Sequence, residues 1–383
     1  MADRHQETAG ARGTSPHSGL RRATTERAVL DCLAAEDGPL TRAELARRTG
    51  ISPPAISEAV RRLEADEVLV PVGPRSGVPG AVATLYDLAP GAGVVVAVEI
   101  HRTVVRTAVG DLAGRRLACS EHEPPVDGGL GPHLGELVAA LGARWRAAGR
   151  PVRAVAVSIA NPVDPATGRV VELRESAFPA GVVGVDDVHD IDPAMVVLDN
   201  DVNFAALAER DHGAAVGAST FAYLYVGERD SVGLGLVLDG VLVRGAQGLA
   251  GEIGYLPLGD GDGRFRFGEA VAAQALAAPP PESTESTAST EGAPDPAALR
   301  RAGRTLGEAA VAVCATVDPA LLVLGGPVGL IPGLRPHVEA TVAELAPREV
   351  PVVAGALGER APLWGALGEA RRRAWENLVS ARG

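Results

Sequence analysis

The spacing of apolar positions changes near residue 90 of the 383-residue chain. Before that point apolar residues recur at helical intervals in short runs, and after it apolar runs of strand length alternate with longer helical stretches. This alternation predicts an α/β body behind a small N-terminal unit. The predicted strands of the body are 94–100, 103–110, 115–121, 152–159, 194–199, 220–227, 232–240 and 321–326, and its predicted helices are 130–148, 201–212 and 297–317.

Residues 24–88 are predicted to form three short helices and a hairpin. The first helix is expected over 25–36, and the second begins at Thr41. The side chains of Thr41 and Glu44 are spaced to satisfy each other's free backbone N–H groups, as in a capping box. Gly50 follows as a turn residue able to adopt a positive φ.

The third helix is predicted to begin with Ser52 as its N-cap and Pro53 at its first position, where a missing N–H costs little. Ile56, Val60 and Leu63 recur at i, i+4 and i+7 and should face the core. Another face carries residues that can enter a major groove. The residues predicted to contact DNA, from this helix and the loop beyond it, are Pro53, Pro54, Ser57, Glu58, Arg61, Arg62 and Arg75.

Two predicted strands, 68–72 and 83–88, flank a loop rich in Gly and Pro, which predicts a wing with Arg75 near its tip. The arginines would contact phosphates or a narrow groove. Glu58 repels phosphate but can accept a hydrogen bond from a cytosine amino group. We therefore expect a winged helix-turn-helix that binds a duplex DNA operator. A helix-turn-helix used only for protein contacts remains an alternative.

Composition narrows the classes of partner. Hydrophobic residues make up 46% of the chain and aromatic residues 3%, so a sizeable core is built mainly from aliphatic side chains. The 36 basic and 48 acidic residues give a net charge of −12, which argues against nucleic-acid binding over the whole surface. Residues 1–75 hold 11 Arg and 11 Asp or Glu, so the negative charge falls on the body, and a small DNA-binding unit is compatible with it.

The cysteines and the N-terminal residues indicate in which cellular compartment the protein is expected. Cys32, Cys119 and Cys314 are far apart, which favours free thiols in a reducing cytoplasm over a disulfide framework or a metal clip. The chain begins without the apolar segment of a signal peptide, and no apolar run reaches about 18 residues, so neither export nor a membrane span is expected. Residues 1–20 are predicted to be a disordered tail and 278–296 a flexible surface insertion.

Four segments of the body resemble the ROK family, whose name joins repressors and sugar kinases. They are SVGLGLVLDGVLVRGAQGLAGEIG at 231–254, LDNDVNFAALAE at 198–209, PVDPATGRV at 162–170 and LVLGGPV at 322–328. The resemblance implies a two-lobed actin-like domain, the duplicated ribonuclease H-like fold of ATPase type, with a ligand cleft between the lobes. The implied domains are a winged helix-turn-helix at 21–90 and a ROK-type domain at 91–383. Within the ROK-type domain, lobe one comprises about 91–200 plus a C-terminal helix at 362–383, and lobe two comprises about 201–361.

The resemblance also indicates what this chain has lost. Kinases of the family close a D-x-G-G-T loop over the phosphates of ATP, because bare glycine N–H groups form a nest for anions. The aligned segment here is EIHRT at 99–103, so His101 and Arg102 replace both glycines. A later run of three glycines near adenosine reads Gly-Gly-Pro at 325–327, and the first glycine of the signature is Ser231. We therefore expect no kinase activity and no catalytic residue.

The sugar-binding side matches the family better. Asn200 and Asp201 match the pair that holds a sugar hydroxyl, and Glu269 matches a sugar-binding glutamate. Glu252 lies in the family's Glu-x-Gly-His motif, with Tyr255 in place of the histidine that touches the sugar and ligates zinc. The implied effector-binding residues are Asn200, Asp201, Glu252, Tyr255 and Glu269. As alternatives, Asn200 and Asp201 cap a helix, Glu252 is a solvated charge, and Tyr255 packs in the core or forms a cleft wall.

The family's CxCGxxGCxE zinc loop is also altered. Asp260, Asp262 and Phe267 lie in the corresponding segment, and they supply neither the thiolates nor the imidazoles that structural zinc requires. We therefore expect no metal site and no other cofactor.

The favoured hypothesis is a cytoplasmic transcriptional repressor, a homodimer or homotetramer that responds to a small polar or sugar-like effector. Two half-sites of an operator require two DNA-binding units with matched symmetry. Two alternatives remain: a DNA-binding scaffold that needs no effector, and an active sugar kinase with an added regulatory unit.

Overall fold

The computed structural model describes residues 16–36, 38–75, 83–125, 129–171, 173, 183–228, 231–258, 265–267 and 295–380. Its helices are α1 (Pro16–Ala34), α2 (Arg42–Thr49), α3 (Pro53–Ala65), α4 (Leu130–Ala147), α5 (Asp201–His212), α6 (Pro296–Val317), α7 (Gly326–Gly329), α8 (Leu334–Leu345) and α9 (Ala361–Ser380). Its strands are β1 (Leu40–Thr41), β2 (Leu69–Pro74), β3 (Thr84–Leu88), β4 (Val94–Ile100), β5 (Val105–Asp111), β6 (Arg116–His122), β7 (Val152–Ile159), β8 (Val163–Asp164), β9 (Arg169–Val170), β10 (Val196–Asn200), β11 (Phe221–Val226), β12 (Val232–Leu238), β13 (Val241–Val243), β14 (Pro257–Leu258), β15 (Phe265–Arg266), β16 (Leu322–Gly325) and β17 (Val352–Ala354).

The N-terminal unit is a winged helix-turn-helix, in which α1 to α3 pack beside a three-stranded sheet of order β1-β3-β2. The predicted capping box is confirmed: Thr41 N donates to Glu44 Oε2 at 2.9 Å, and Glu44 N donates to Thr41 Oγ1 at 3.2 Å. Gly50 follows α2 in the left-handed region with φ 68°. The predicted apolar face of α3 is buried, with Ile56, Val60 and Leu63 at most 2% exposed.

Two details of this unit differ from the prediction. α1 begins at Pro16, so residues 16–20 are helical rather than part of a tail, while residues 1–15 lie outside the described residues. Proline is a favourable first helical residue because its φ is preset and its missing N–H would be unpaired there. Ser52 is the N-cap of α3 but makes no side-chain cap bond. Pro54 removes the N–H at the second helical position, one of the two donors that a capping hydroxyl uses.

The body contains two five-stranded sheets, and its predicted α/β class is confirmed. The first has the order β10-β7-β4-β5-β6, with β4, β7 and β10 parallel. Strands 94–100 and 152–159 have their predicted bounds. The strand predicted from 103 begins at Val105, because His101 N donates to Val104 O in a tight turn. The strand predicted from 194 begins at Val196, because Asp192 caps a 3₁₀ turn before it.

The second sheet has the order β13-β12-β11-β16-β17. Helices α6 and α8 pack together on one of its faces, and α5 packs against β11 and β12. Helix α9 packs against β4, β5 and β7 of the first sheet and against α5. The paired helices α5 and α9 therefore lie between the two sheets, and we call the sheets with their flanking helices the first and second lobes.

The chain passes from one lobe to the other at two places. The first crossing is the junction of β10 with α5 at Asn200 and Asp201, and the second is the segment 355–360 between β17 and α9. Glu209, in the last turn of α5, holds the second crossing: it is 0% exposed and accepts hydrogen bonds from the backbone N–H groups of Ala356 and Leu357. A buried carboxylate thus fixes the second crossing against the end of the helix that begins at the first.

Across the described ranges, no helix combines the length and the apolarity needed to cross a membrane.

Candidate functional site

The exposed face of α3 carries the residues predicted to contact DNA. Pro53, Pro54, Glu58 and Arg61 are exposed there, and Ser57 is partly buried. The wing strands β2 and β3 pair as predicted, but residues 76–82 of the wing loop lie outside the described residues.

Glu58 neutralises the arginines beside it on α3. Its Oε1 accepts hydrogen bonds from Arg61 Nη2 at 2.6 Å and Arg62 Nη1 at 2.9 Å, and its Oε2 accepts one from Arg61 Nε at 3.0 Å. These bonds lower the pKa of Glu58, and Arg61 contributes most. Any anion that pairs with Arg61 would have to compete with this carboxylate, and a contact that leaves Glu58 unpaired would be penalised.

Arg62 and Arg75 have partners that the sequence pattern did not reveal. Arg62 Nε donates to Glu26 Oε1 at 2.6 Å, and Glu26 of α1 is 1% exposed. Arg62 therefore compensates a buried charge between α1 and α3. Arg75 pairs with Glu44, the capping residue of α2, which lowers the pKa of that carboxyl to about 2. Arg61 is the predicted arginine with the greatest exposure, at 65% of its side chain.

A row of polar residues crosses the first sheet near the carboxyl ends of β4, β7 and β10. The sheet register aligns Asp199, Ser158, Glu99, Arg106 and Glu121 on adjacent strands, so all five side chains stand on the same face. This is the face that packs against α9, and we call these five residues the polar row.

The two ends of the polar row carry ion pairs. Arg244, from the glycine-rich segment after β13, donates its Nε to Asp199 Oδ2 at 2.6 Å, and Asn203 Nδ2 donates to Asp199 Oδ1 at 2.8 Å. At the other end Arg106 lies 3.2 Å from Glu121 and 3.5 Å from Glu99. Asp199 and Arg244 thus tie the first lobe to the second. Sequence reasoning missed both residues, because only the fold brings them together.

Asn200 and Asp201 lie where the chain first crosses between the lobes. Asn200 Oδ1 accepts from the N–H groups of Val202 at 2.9 Å and Asn203 at 3.4 Å, so the capping alternative is confirmed for Asn200. Asp201 Oδ1 accepts from Val202 N at 2.8 Å. That bond uses one oxygen of Asp201 and leaves the carboxylate available for further hydrogen bonds.

Glu99 of the first lobe and Glu252 of the second lie near enough to Asp201 for their charges to act on it. Burial raises its pKa to about 7, and the nearby charges of Glu99 and Glu252 act in the same direction. Burial also raises the pKa of Glu252 to about 7. Tyr225 of β11 is close enough to Asp201 and Glu99 for their charges to raise its pKa as well, after burial. We call Glu99, Asp201, Tyr225 and Glu252 the interlobe cleft.

Replacing Asp201 by asparagine is expected to stabilise the protein by about 2 kcal/mol at pH 8 and hardly at all at pH 4. A carboxyl whose folded-state pKa is raised binds more protons in the folded chain. The contribution of Asp201 to wild-type stability should therefore fall as pH rises from about 4 to 7, and the neutral amide removes that contribution. Urea unfolding at both pH values measures the effect, with Asp211→Asn, at the exposed end of the same helix, as the control. Equal stability of wild type and Asp201→Asn at pH 8 would show that burial does not disfavour the charged form of Asp201.

Of the two other residues predicted to line the cleft, the structure describes Tyr255 but not Glu269. Tyr255 ends a 3₁₀ turn and is 39% exposed, so the core-packing alternative is wrong for it. Glu269 lies outside the described residues, as do Asp260 and Asp262. Within the described ranges, no cluster of three or more His, Cys, Asp or Glu side chains could hold a metal ion.

Two aromatic rings pack against the glycines at the end of β16. A Cβ added at Gly325 would overlap the Tyr223 hydroxyl, and one added at Gly326 would lie 2.9 Å from ring atoms of Tyr225. The segment 101–103 is exposed and makes the tight turn after β4. Sequence reasoning missed both tyrosines, because alternate apolar residues of a buried strand look alike before their neighbours are known.

Comparison with known proteins gives two family matches. A model described as "ROK family" matches residues 95–372, and one described as "Winged helix-turn-helix DNA-binding" matches residues 22–70. The chain is 32% identical over 181 residues to the bifunctional enzyme NanE/NanK of Brucella suis, a match that covers 45% of this chain and 34% of that protein. The chain thus spans about a third of the length of this curated relative.

Solved structures share the fold. A crystal structure of a ROK family transcriptional regulator, a homolog of the E. coli MLC protein, superposes with a TM-score of 0.70 at 17% identity and covers 95% of this chain and 98% of that chain. A ROK family glucokinase from Streptomyces griseus, in complex with glucose and AMPPNP, superposes with a TM-score of 0.54 at 21% identity. The match covers 73% of this chain and 100% of that chain. At these identities the likeness concerns the fold alone.

Proposed function

Because the chain belongs to the ROK family and carries an N-terminal winged helix-turn-helix, we propose that it is a DNA-binding transcriptional regulator, a repressor, rather than a sugar kinase. The observation that carries this proposal is the exposed face of α3, with Arg61 on a helix placed as in winged helix-turn-helix proteins. As a homodimer or homotetramer in the cytoplasm, it presents paired units to a two-fold operator.

The turn after β4 supports the proposed loss of kinase activity. Phosphoryl transfer depends on positioning and on stabilising negative charge around the γ-phosphate. Here the turn at 101–103 has exposed side chains where a phosphate nest needs bare N–H groups. ATP-dependent phosphorylation of a hexose that Asp201→Asn abolishes would contradict this part of the proposal.

We further propose that a small polar effector binds the interlobe cleft. The lobes contribute different residues to it, so a ligand that contacts both changes their closure and the spacing of the two DNA-binding units. The ligand acts only if it binds one closure state better than the other. In the competing scaffold hypothesis no compound changes DNA affinity, which a titration of operator binding against sugars tests directly.

Arg61→Ala is expected to weaken operator binding about tenfold and to reduce the slope of log K against log salt by about 1. In the part of the chain that the structure describes, the exposed guanidinium pairs with Glu58 of its own helix, so it can transfer to a phosphate or a guanine. An operator is first selected from random duplexes with the full chain, and affinities are then measured between 50 and 200 mM salt, roughly the range over which phosphate contacts are resolved.

The matched control is Arg348→Ala, which removes an arginine whose side chain is 74% exposed on the second lobe. It should leave affinity and salt slope unchanged. Arg62→Ala is unsuitable as a DNA-contact test, because it also leaves buried Glu26 without its cation. If Arg61→Ala and Arg348→Ala bind the selected operator equally well, α3 is not the DNA-contacting helix.

A further inference from the structure

A cavity lies at the edge of the first sheet, between β5, the edge strand β6 and the start of α9. Its volume is about 220 Å³, and its wall includes Arg106, Cys119, Glu121, Arg360 and Leu363. Pockets for drug-sized ligands span about 300–1,000 Å³, so this cavity suits a smaller molecule. The side chains of Glu121 and Arg360 are 54% and 51% exposed. The cavity therefore opens to solvent, and a ligand can enter it.

Two guanidinium groups meet in this cavity around one carboxylate oxygen. Arg106 Nε donates to Glu121 Oε1 at 3.2 Å, and Arg360 Nη2 donates to the same oxygen at 3.4 Å. Charge-assisted hydrogen bonds between N⁺–H and O⁻ are usually about 2.7–2.9 Å long, so both contacts are loose. Ion pairs between exposed side chains also contribute little to stability. Glu121 therefore marks a place where a carboxylate fits, and it is held weakly enough to be displaced.

The charges around the cavity indicate how many negative charges a ligand should carry. Arg106 is 18% exposed, and its Nη1 also donates to Glu99 Oε2 at 3.5 Å. Glu99 is 5% exposed, so this pair fixes one guanidinium in the wall. With Glu121 in place, the two arginines and the two glutamates balance. When Glu121 turns into solvent, one positive charge between Arg106 and Arg360 is left without a partner.

We propose that this cavity binds a small organic monocarboxylate, whose carboxylate group replaces Glu121 between Arg106 and Arg360. Its one negative charge matches the positive charge that Glu121 leaves behind. The hydrocarbon part of the ligand lies against Leu363, an apolar wall residue at the start of α9. A dianion brings a second negative charge toward Glu99, which like-charge repulsion penalises. The lining residues differ from those of the interlobe cleft, and the proposal goes beyond the proposed function.

Cys119 provides a reporter within the cavity. It lines the wall and is exposed, whereas Cys32 is partly buried and Cys314 is buried. The full chain is treated with iodoacetamide, a neutral reagent, in acetate, propionate, pyruvate or lactate at constant ionic strength, and alkylation of each cysteine is followed by peptide mass spectrometry. At least one carboxylate should slow alkylation of Cys119 about tenfold at about ten times its Kd, because only empty cavities react. Alkylation of Cys32 should not change.

Uncharged and doubly charged probes isolate the single charge. The amides of the same four acids have nearly the same size without the charge, and inorganic phosphate at pH 8 is mainly a dianion. The protecting carboxylate should half-protect Cys119 at a concentration about fivefold or more below that of its amide and of phosphate. If no carboxylate protects Cys119, or if the amide or phosphate protects equally well, the proposal is overturned.

Two substitutions with opposite expected effects test the contacts. Arg360→Gln removes one guanidinium and should raise the half-protecting concentration about tenfold, whereas Glu121→Gln removes the internal competitor and should lower it by about the same factor. Arg348→Gln, at a position 74% exposed on the second lobe, is the matched control and should change nothing. Each variant is compared with its own rate of Cys119 alkylation without ligand. Because the substituted side chains are about half exposed or more, the melting temperatures should stay close to wild type. Equal half-protecting concentrations in all four chains, or a higher one in Glu121→Gln, would overturn the proposal.

Discussion

Glu209→Ala is expected to lower the free energy of unfolding by about 3–5 kcal/mol, the range for leaving several buried polar groups without partners. Glu209 is 0% exposed and accepts three backbone hydrogen bonds. They come from Ala214 N at 2.7 Å, Ala356 N at 3.1 Å and Leu357 N at 3.0 Å. Alanine leaves all three N–H groups buried, and a water molecule that enters the space restores only part of the loss.

Backbone N–H groups, rather than a cation, stabilise the Glu209 carboxylate. The stability of a variant should therefore depend on how many of these N–H groups it leaves without an acceptor. Glu209→Gln keeps the shape but turns one acceptor oxygen into a donor that faces N–H groups, and it should lose about half as much stability as the alanine variant. Glu136→Ala, at an exposed position of α4, is the control for losing a helical glutamate. Denaturant unfolding of the four chains measures the series.

A loss below about 1 kcal/mol in Glu209→Ala would mean that the second crossing is held by other contacts. Gly355 of the same segment packs closely against this carboxylate, since an added Cβ would lie 2.9 Å from Glu209 Oε1. Because this segment leads into α9, loosening it should also make the two lobes move more independently.

Gly365→Ala is expected to destabilise the protein by about 3 kcal/mol, although alanine is the better helix former. In α9 a Cβ at this position would overlap the carbonyl oxygen of Phe204 in α5. That oxygen belongs to a helix backbone and cannot rotate away, so α5 and α9 must separate. These helices lie between the sheets, and the strain therefore spreads to both lobes.

Gly368→Ala in the same helix is a matched control, because a Cβ there meets no atom within 4 Å. It should stabilise the protein by about 0.5–1 kcal/mol through helix propensity alone. Opposite signs for the two substitutions would establish the close helix contact, as measured by thermal or denaturant unfolding. If Gly365→Ala also stabilises, the helices are farther apart than described.

The local elements could be predicted because their causes are local. Thr41 and Glu44 lie within one helical turn, so their reciprocal caps and the start of α2 follow from spacing. The same holds for the apolar face of α3 and for β4, whose seven buried residues form one continuous run. The resemblance to the ROK family rested on contiguous motifs, and the family match confirms it. The helix start at Pro16 was missed because the residues before the apolar face carry no periodic signal.

The candidate site was predicted only in part, for a physical reason. The sequence by itself determined the elements and the residue types available for the cleft, because caps, turns and apolar periodicity act over a few residues. The tertiary structure alone decided which of them meet. Sheet register aligns Asp199, Ser158 and Glu99, and folding brings Glu26 to Arg62 over a separation of 36 residues. Such contacts depend on how distant elements pack, and burial then sets the charge state of the carboxylates they enclose.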